Sequence, residues 1–119
     1  MRPEVAARPS APLPVFDVGQ TGNELGRVVV WVLGELDVWG APDLCARLDD
    51  LAARRRATLL DLSATTFIDC AGVAVVLRAT QASERDGWSF AIAGRTPSAV
   101  ADLLDFARAR QAAAPGRDA

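Results

Sequence analysis

Apolar residues recur along this chain at two spacings, every second position and every third or fourth, and the switches between them mark out strands and helices. Residues 15–18 predict a short edge strand, and 19–26, with three glycines and Asn23, carry the turn signals of a hairpin connection. The run 27–33 is apolar at successive positions through Val28, Val29, Val30, Trp31 and Val32, which predicts a central strand buried on both faces. After a turn at 34–40, Pro42 suits the first position of a helix and Asp43 its first turn. Arg54, Arg55 and Arg56 suit its last turn, with Leu44, Leu48 and Leu51 as its core stripe. Residues 58–62 predict another strand. Asp69 suits the N-cap of a second helix running from 70 to about 85 and stopped by Gly87. Residues 89–93 predict a further strand, and Thr96 with Pro97 opens a third helix with Val100, Leu103, Leu104 and Ala107 along one side.

The order strand, strand, helix, strand, helix, strand, helix implies an α/β domain, a mixed sheet with βαβ crossovers and its helices mainly on one face. The chain has 119 residues, 50% of them hydrophobic, enough for one continuous core and one domain. Residues 1–14, with four prolines and two arginines, predict a disordered leader, 15–110 the folded domain, and 111–119 a flexible tail.

Composition then removes whole classes of chemistry. There is no His, so Ser/His/Asp triads, Cys/His dyads and the common zinc cages lack their usual proton carrier or ligand. All 13 basic residues are Arg, which removes a Schiff-base lysine and the lysine of a phosphate-binding loop. The net charge of −2, with basic residues scattered except at 54–56, argues against a nucleic-acid groove, and the three arginines are explained by a helix C-terminus. Apolar stretches are too short to cross a bilayer, and the first residues lack a secretory h-region, so a cytoplasmic protein without a metal, a cofactor or direct membrane insertion is expected. Cys45 and Cys70 are too far apart in sequence for a redox pair motif, and both are expected to be reduced.

The richest segment is 60–72, where a buried strand delivers Asp69 to the start of a helix whose first residues, Cys70, Ala71 and Gly72, are small. Free backbone N–H groups in that turn tolerate an anion or a close partner. The next five residues, Val73, Ala74, Val75, Val76 and Leu77, are all apolar and cover more than one helical turn, so one sheet cannot bury them all. The excess side either packs on a neighbouring helix or forms a docking surface. Trp31 is expected in the core and Trp88 at the mouth of the strand after Gly87. Trp39, in a polar turn, is the candidate interface anchor. Asp37 is either a partner-contacting carboxylate or a local turn former. Cys45 reads as a half-core residue and Cys70 as a small neutral residue or a redox sensor. Whether the two cysteines approach closely enough for a disulfide is not decided by sequence.

The chain resembles the STAS family of anti-sigma factor antagonists in three places. Gly34-Glu35-Leu36-Asp37 is similar to its G-E-L-D turn, Asp61-Leu62-Ser63 to its D-L-S strand end, and Phe67-Ile68-Asp69-Cys70-Ala71-Gly72 to its F-[IM]-D-S-[SA]-G motif. The resemblance runs from about residue 28 to 106. It implies a STAS-like (SpoIIAA-like) mixed sheet of four to five strands and a non-enzymatic protein that binds an anti-sigma factor, or a related serine kinase, and so releases a sigma factor. The partner-binding residues it implies are Asp37, Trp39, Asp69, Cys70, Ala71, Gly72 and Val73. Family members are switched off by phosphorylation of the serine after the motif aspartate. Here Cys70 stands at that position, and a serine kinase does not transfer phosphate to a thiol in the same reaction. Thr65 and Thr66 are the alternative hydroxyls nearby. The alternative functions are a non-catalytic STAS subunit of a larger assembly, such as a transporter or a stress-signalling complex, and a thiol redox-sensing variant.

Overall fold

The computed structural model describes residues 16–22 and 26–113. The leader expected over 1–14 and most of the tail expected over 111–119 lie outside the described residues. Five strands and three helices follow in the order β1 (Phe16–Gly22), β2 (Val28–Leu36), α1 (Ala41–Ala53), β3 (Thr58–Asp61), β4 (Thr65–Ile68), α2 (Cys70–Asp86), β5 (Phe90–Ile92) and α3 (Ser98–Ala113).

Strand β2 is the spine. Along one side β1 pairs with it antiparallel, from Phe16 opposite Gly34 to Gly22 opposite Val28. Along the other side two parallel strands follow one another: β3 on the first half, Val28 opposite Thr58, and β4 on the second, Leu36 opposite Ile68. Strand β5 extends the sheet beyond β3. The pairing register shifts between Gly34 and Glu35, within the pairing of β2 with β4.

Period-2 alternation decides which side of β2 is covered. Val28, Val30, Val32 and Leu36 are buried, whereas Val29 and Trp31 are half-buried and Leu33 and Glu35 exposed. One face therefore carries the helices and the core, and the other is open, so the expectation of burial on both faces is corrected. Trp31 is corrected with it: its indole lies across Gly19 on the open face, where a side chain at Gly19 would overlap the ring. The core joins Leu44, Leu48 and Leu51 of α1, Val73, Val75, Val76 and Ala79 of α2, Leu60 and Leu62 around β3, and Val100 and Leu104 of α3.

Helix ends follow local chemistry. Helix α2 starts at the Asp69 N-cap and stops at Gly87, whose left-handed backbone costs a residue without Cβ little. Helix α1 ends at Ala53, one residue before the arginines expected in its last turn. Arg54 pairs with Asp50, and Arg55, left-handed at φ 55°, donates to the Asp86 carbonyl and so joins the ends of α1 and α2. Trp88 is buried, donates from Nε1 to the Arg56 carbonyl at 2.7 Å and stacks on Phe90. Helix α3 continues to Ala113, beyond Gln111 where the flexible tail is expected to begin. Its buried stripe is Val100 and Leu104 with Ala107 partly covered, and Leu103, expected on that stripe, is 38% exposed.

Candidate functional site

Two segments distant in sequence meet where β2 and β4 end. The first is the turn from Leu36 to Gly40. Asp37 shapes it by accepting at Oδ1 from the Trp39 amide (3.0 Å) and, more weakly, from Gly40 (3.4 Å), while its carbonyl accepts from the amides of Gly40 and Ala41. This supplies the start of α1 with acceptors that the Gly40 N-cap, having no side chain, lacks. Of the two readings of Asp37, the turn former is the one this geometry displays.

The second segment is the first turn of α2. Asp69 Oδ1 accepts from the Gly72 amide at 3.0 Å, the N-cap bond. Its Oδ2 accepts from the Val38 amide at 3.2 Å, and its own amide donates to the Leu36 carbonyl at 3.2 Å. One carboxylate thus holds the two segments together. The bond to Val38 gives no sequence signal, because the donor is a main-chain group 31 residues away.

Gly72 explains how closely α2 approaches the sheet. A Cβ there would lie 2.6 Å from the Leu36 carbonyl oxygen and 2.7 Å from Ile68 Cγ1, and the carbonyl belongs to backbone that cannot swing aside. Gly72 and Val73 are buried and Ala71 half-buried, so they seat the turn. Cys70 is exposed and Trp39 is 87% exposed, so they are the side chains the turn presents to solvent. Val38, next to Trp39, is exposed as well.

Beyond Cys70 the surface is apolar. Val73, Ala74 and Leu77 of α2 and Leu103, Phe106 and Ala107 of α3 line, with Cys70 and Arg110, an open groove of about 350 Å³. The excess apolar side of α2 is therefore shared between the neighbouring helix and solvent. From sequence Leu103 reads as part of the core stripe of α3 and Phe106 carries no signal, because both lie beside the buried stripe at a spacing that a core helix also uses.

Both cysteines are free thiols. Cys45 is half-buried beside Asp49, and burial, reinforced by that carboxylate, raises its pKa. Thr65 is fully buried and its hydroxyl donates to the Val32 carbonyl at 3.0 Å, which takes it out of reach of a modifying enzyme. Thr66 is exposed. A larger cleft lies at the other ends of α1 and α2, and its three arginines are engaged: Arg78 grips Asp49 through two bonds of 3.2 Å, Arg85 pairs with Asp86 and lowers that carboxyl's pKa by hydrogen bonding, and Arg55 donates to the Asp86 carbonyl. Among the described residues no group of His, Cys, Asp and Glu has the arrangement of a metal site, and no helix is long and apolar enough to cross a membrane.

Comparison with known proteins agrees with this geometry. A family model described as "Mlab, STAS domain" matches residues 20–112. Among solved structures, the Bacillus cell fate determinant SpoIIAA in its phosphorylated form is similar at 17% identity and a TM-score of 0.64, over 76% of this chain and 83% of that one. The anti-sigma factor antagonist SpoIIAA in its unphosphorylated form gives 17% identity and a TM-score of 0.62 over the same shares. An anti-sigma factor antagonist from Mycobacterium paratuberculosis gives 22% and 0.61, over 79% of this chain and 81% of that one. At these identities the likeness is one of fold. No curated protein matches the sequence at a significant level.

Proposed function

The chain belongs to the STAS domain family, and from that premise we propose that it is an anti-sigma factor antagonist, binding an anti-sigma factor of the serine-kinase type and so releasing a sigma factor. The observation that carries this reading is the bridge made by Asp69, which takes the amides of Val38 and Gly72 on its two oxygens and so brings the Trp39 turn and the Cys70 turn to one end of the sheet. An exposed aromatic beside a turn of small residues suits a protein interface, where a rigid anchor enters a pocket and the backbone of the small turn is approached closely. Asp37 and Asp69 position this surface, Trp39 and Cys70 face the partner, and Ala71, Gly72 and Val73 fix the height of the helix beneath it.

Cys70 occupies the place of the phosphoacceptor. A phosphoserine there would add about −1.5 to −2 charges beside Asp69, which repel an acidic partner surface and cost desolvation against an apolar one. With a thiol in its place, docking is permanently permitted. The test is binding of the wild type, Cys70→Ser and Cys70→Asp to the anti-sigma kinases of the same organism, by calorimetry with and without ATP. The wild type is expected to bind one kinase with or without ATP, Cys70→Ser to bind until it is phosphorylated, and Cys70→Asp to fail. Absence of binding by all three to every kinase overturns the proposal.

The lack of any hydroxyl at 70, 71 and 72 also favours a second reading, a STAS subunit held permanently in a larger assembly such as a transporter. Co-purification in a stable complex that contains no kinase would select it.

A further inference from the structure

We propose that residues 1–15 of this chain fold back over the open face of the sheet and cover it. That face is apolar along its middle and acidic around it. Val29, Trp31 and Leu33 of β2 share it with Leu59 of β3, beside Val29, and with Phe67 of β4, beside Glu35. Leu33 is 40% exposed and Phe67 49%. The charged strand residues of the face are all acidic: Asp17 opposite Leu33, Glu35 beside Phe67 and Asp61 beside Trp31. Asp17 and Glu35 are exposed, and neither makes an ion pair with a described residue.

The chain that precedes β1 suits this face in composition, place and reach. Residues 1–15 carry Arg2 and Arg8 against a single acid, Glu4, a charge opposite to that of the three carboxylates, and Val5, Leu13 and Val15 are apolar. They join the sheet at Phe16, opposite Gly34, the end at which Leu33 and Phe67 stand exposed. Strand β2 stops soon after, at Leu36, so the chain before Phe16 runs out of ladder to pair with. At that corner the helix side is filled, because the Phe16 ring lies so close to Gly40, before α1, that a Cβ there would come within 2.6 Å of it. The open face is the side left. Fifteen extended residues reach about 50 Å and the nine of β2 span about 30 Å, so the segment is long enough to cross the face from end to end. Its tether keeps it at high effective concentration beside the face, ahead of any free partner, and its four prolines leave it less conformational freedom to lose on docking.

The test places a photoreactive benzophenone amino acid at Val5 in the full chain and maps its cross-links by peptide mass spectrometry after irradiation. Intrachain cross-links to open-face residues of β2, β3 and β4 are expected, and unfolding in urea should abolish them. Two double changes, Arg2→Glu with Arg8→Glu and Asp17→Arg with Glu35→Arg, should each lower the yield at least about threefold, because like charges then meet. Combining all four changes in one chain should restore it, and circular dichroism checks that every variant keeps its fold. Absence of cross-links, cross-links that fall on the helices or form only between chains, double variants that cross-link as well as the wild type, or a combined variant that fails to recover each overturn the proposal. Cross-links formed only between chains assign the face to a second copy instead.

Discussion

Replacing Asp69 with Ala removes both acceptors that join the 36–40 turn to α2. Loss of an N-cap bond costs about 0.5–2 kcal/mol, typically about 1. The Val38 amide is exposed, so water takes the place of Oδ2 and the second loss adds only a few tenths, on the order of the difference between exchanged hydrogen bonds. The expected total is about 1–2 kcal/mol, or a fall in melting temperature of roughly 4–12 °C for a domain near this size. Urea unfolding followed by fluorescence of the three tryptophans measures it. Asp69→Asn keeps an oxygen for Gly72 and should lose less than Ala does. Hydrogen exchange then locates the effect: the amides of Val38 and Gly72 should exchange faster in Asp69→Ala, while those of β3, paired at the other half of β2, should not. A variant within about 0.3 kcal/mol of the wild type, or one whose exchange changes uniformly, would refute the reasoning that one carboxylate clamps two segments.

Two further outcomes follow from the same geometry. Gly72→Ala sets a methyl 2.6 Å from the Leu36 carbonyl, so α2 must lift from the sheet, at about 1–3 kcal/mol by urea unfolding; a neutral or stabilising change would contradict that contact. Thiol labelling in the folded protein should be biphasic, with exposed Cys70 fast and Cys45 slow. The raised pKa of Cys45 keeps the fold's thiol protonated at a pH where an unfolded cysteine is already partly thiolate, and unfolding should therefore merge the two phases.

Helix α2 was legible because both of its ends carry local signals, Asp69 before it and Gly87 after it. The motif around it was legible for the same reason. Strand β4 was not, because four residues, Thr65 to Ile68, sit between a turn and a helix, and their partner is the far half of β2. No short-range pattern encodes that pairing. The covered face of β2 is not legible in sequence, because Val29, Trp31 and Leu33 are apolar on the open side, and periodicity registers apolarity without distinguishing a helix overhead from an indole lying along the sheet. In the site, the residue types Asp69, Cys70 and Gly72 were visible in sequence. Their connection to the other turn depends on the Val38 main chain, which every sequence would offer alike.

The tandem pairing of β3 and β4 makes the sheet uneven in width. Around Val28 to Val30 four strands lie side by side, whereas among the described residues Glu35 and Leu36 are paired only with β4. The end of β2 that carries Asp37 and the Trp39 turn is thus held from one side, by β4 and by the Asp69 bridge. The position of that turn is therefore set less by the sheet than by α2, so whatever displaces the helix start carries the Trp39 turn with it.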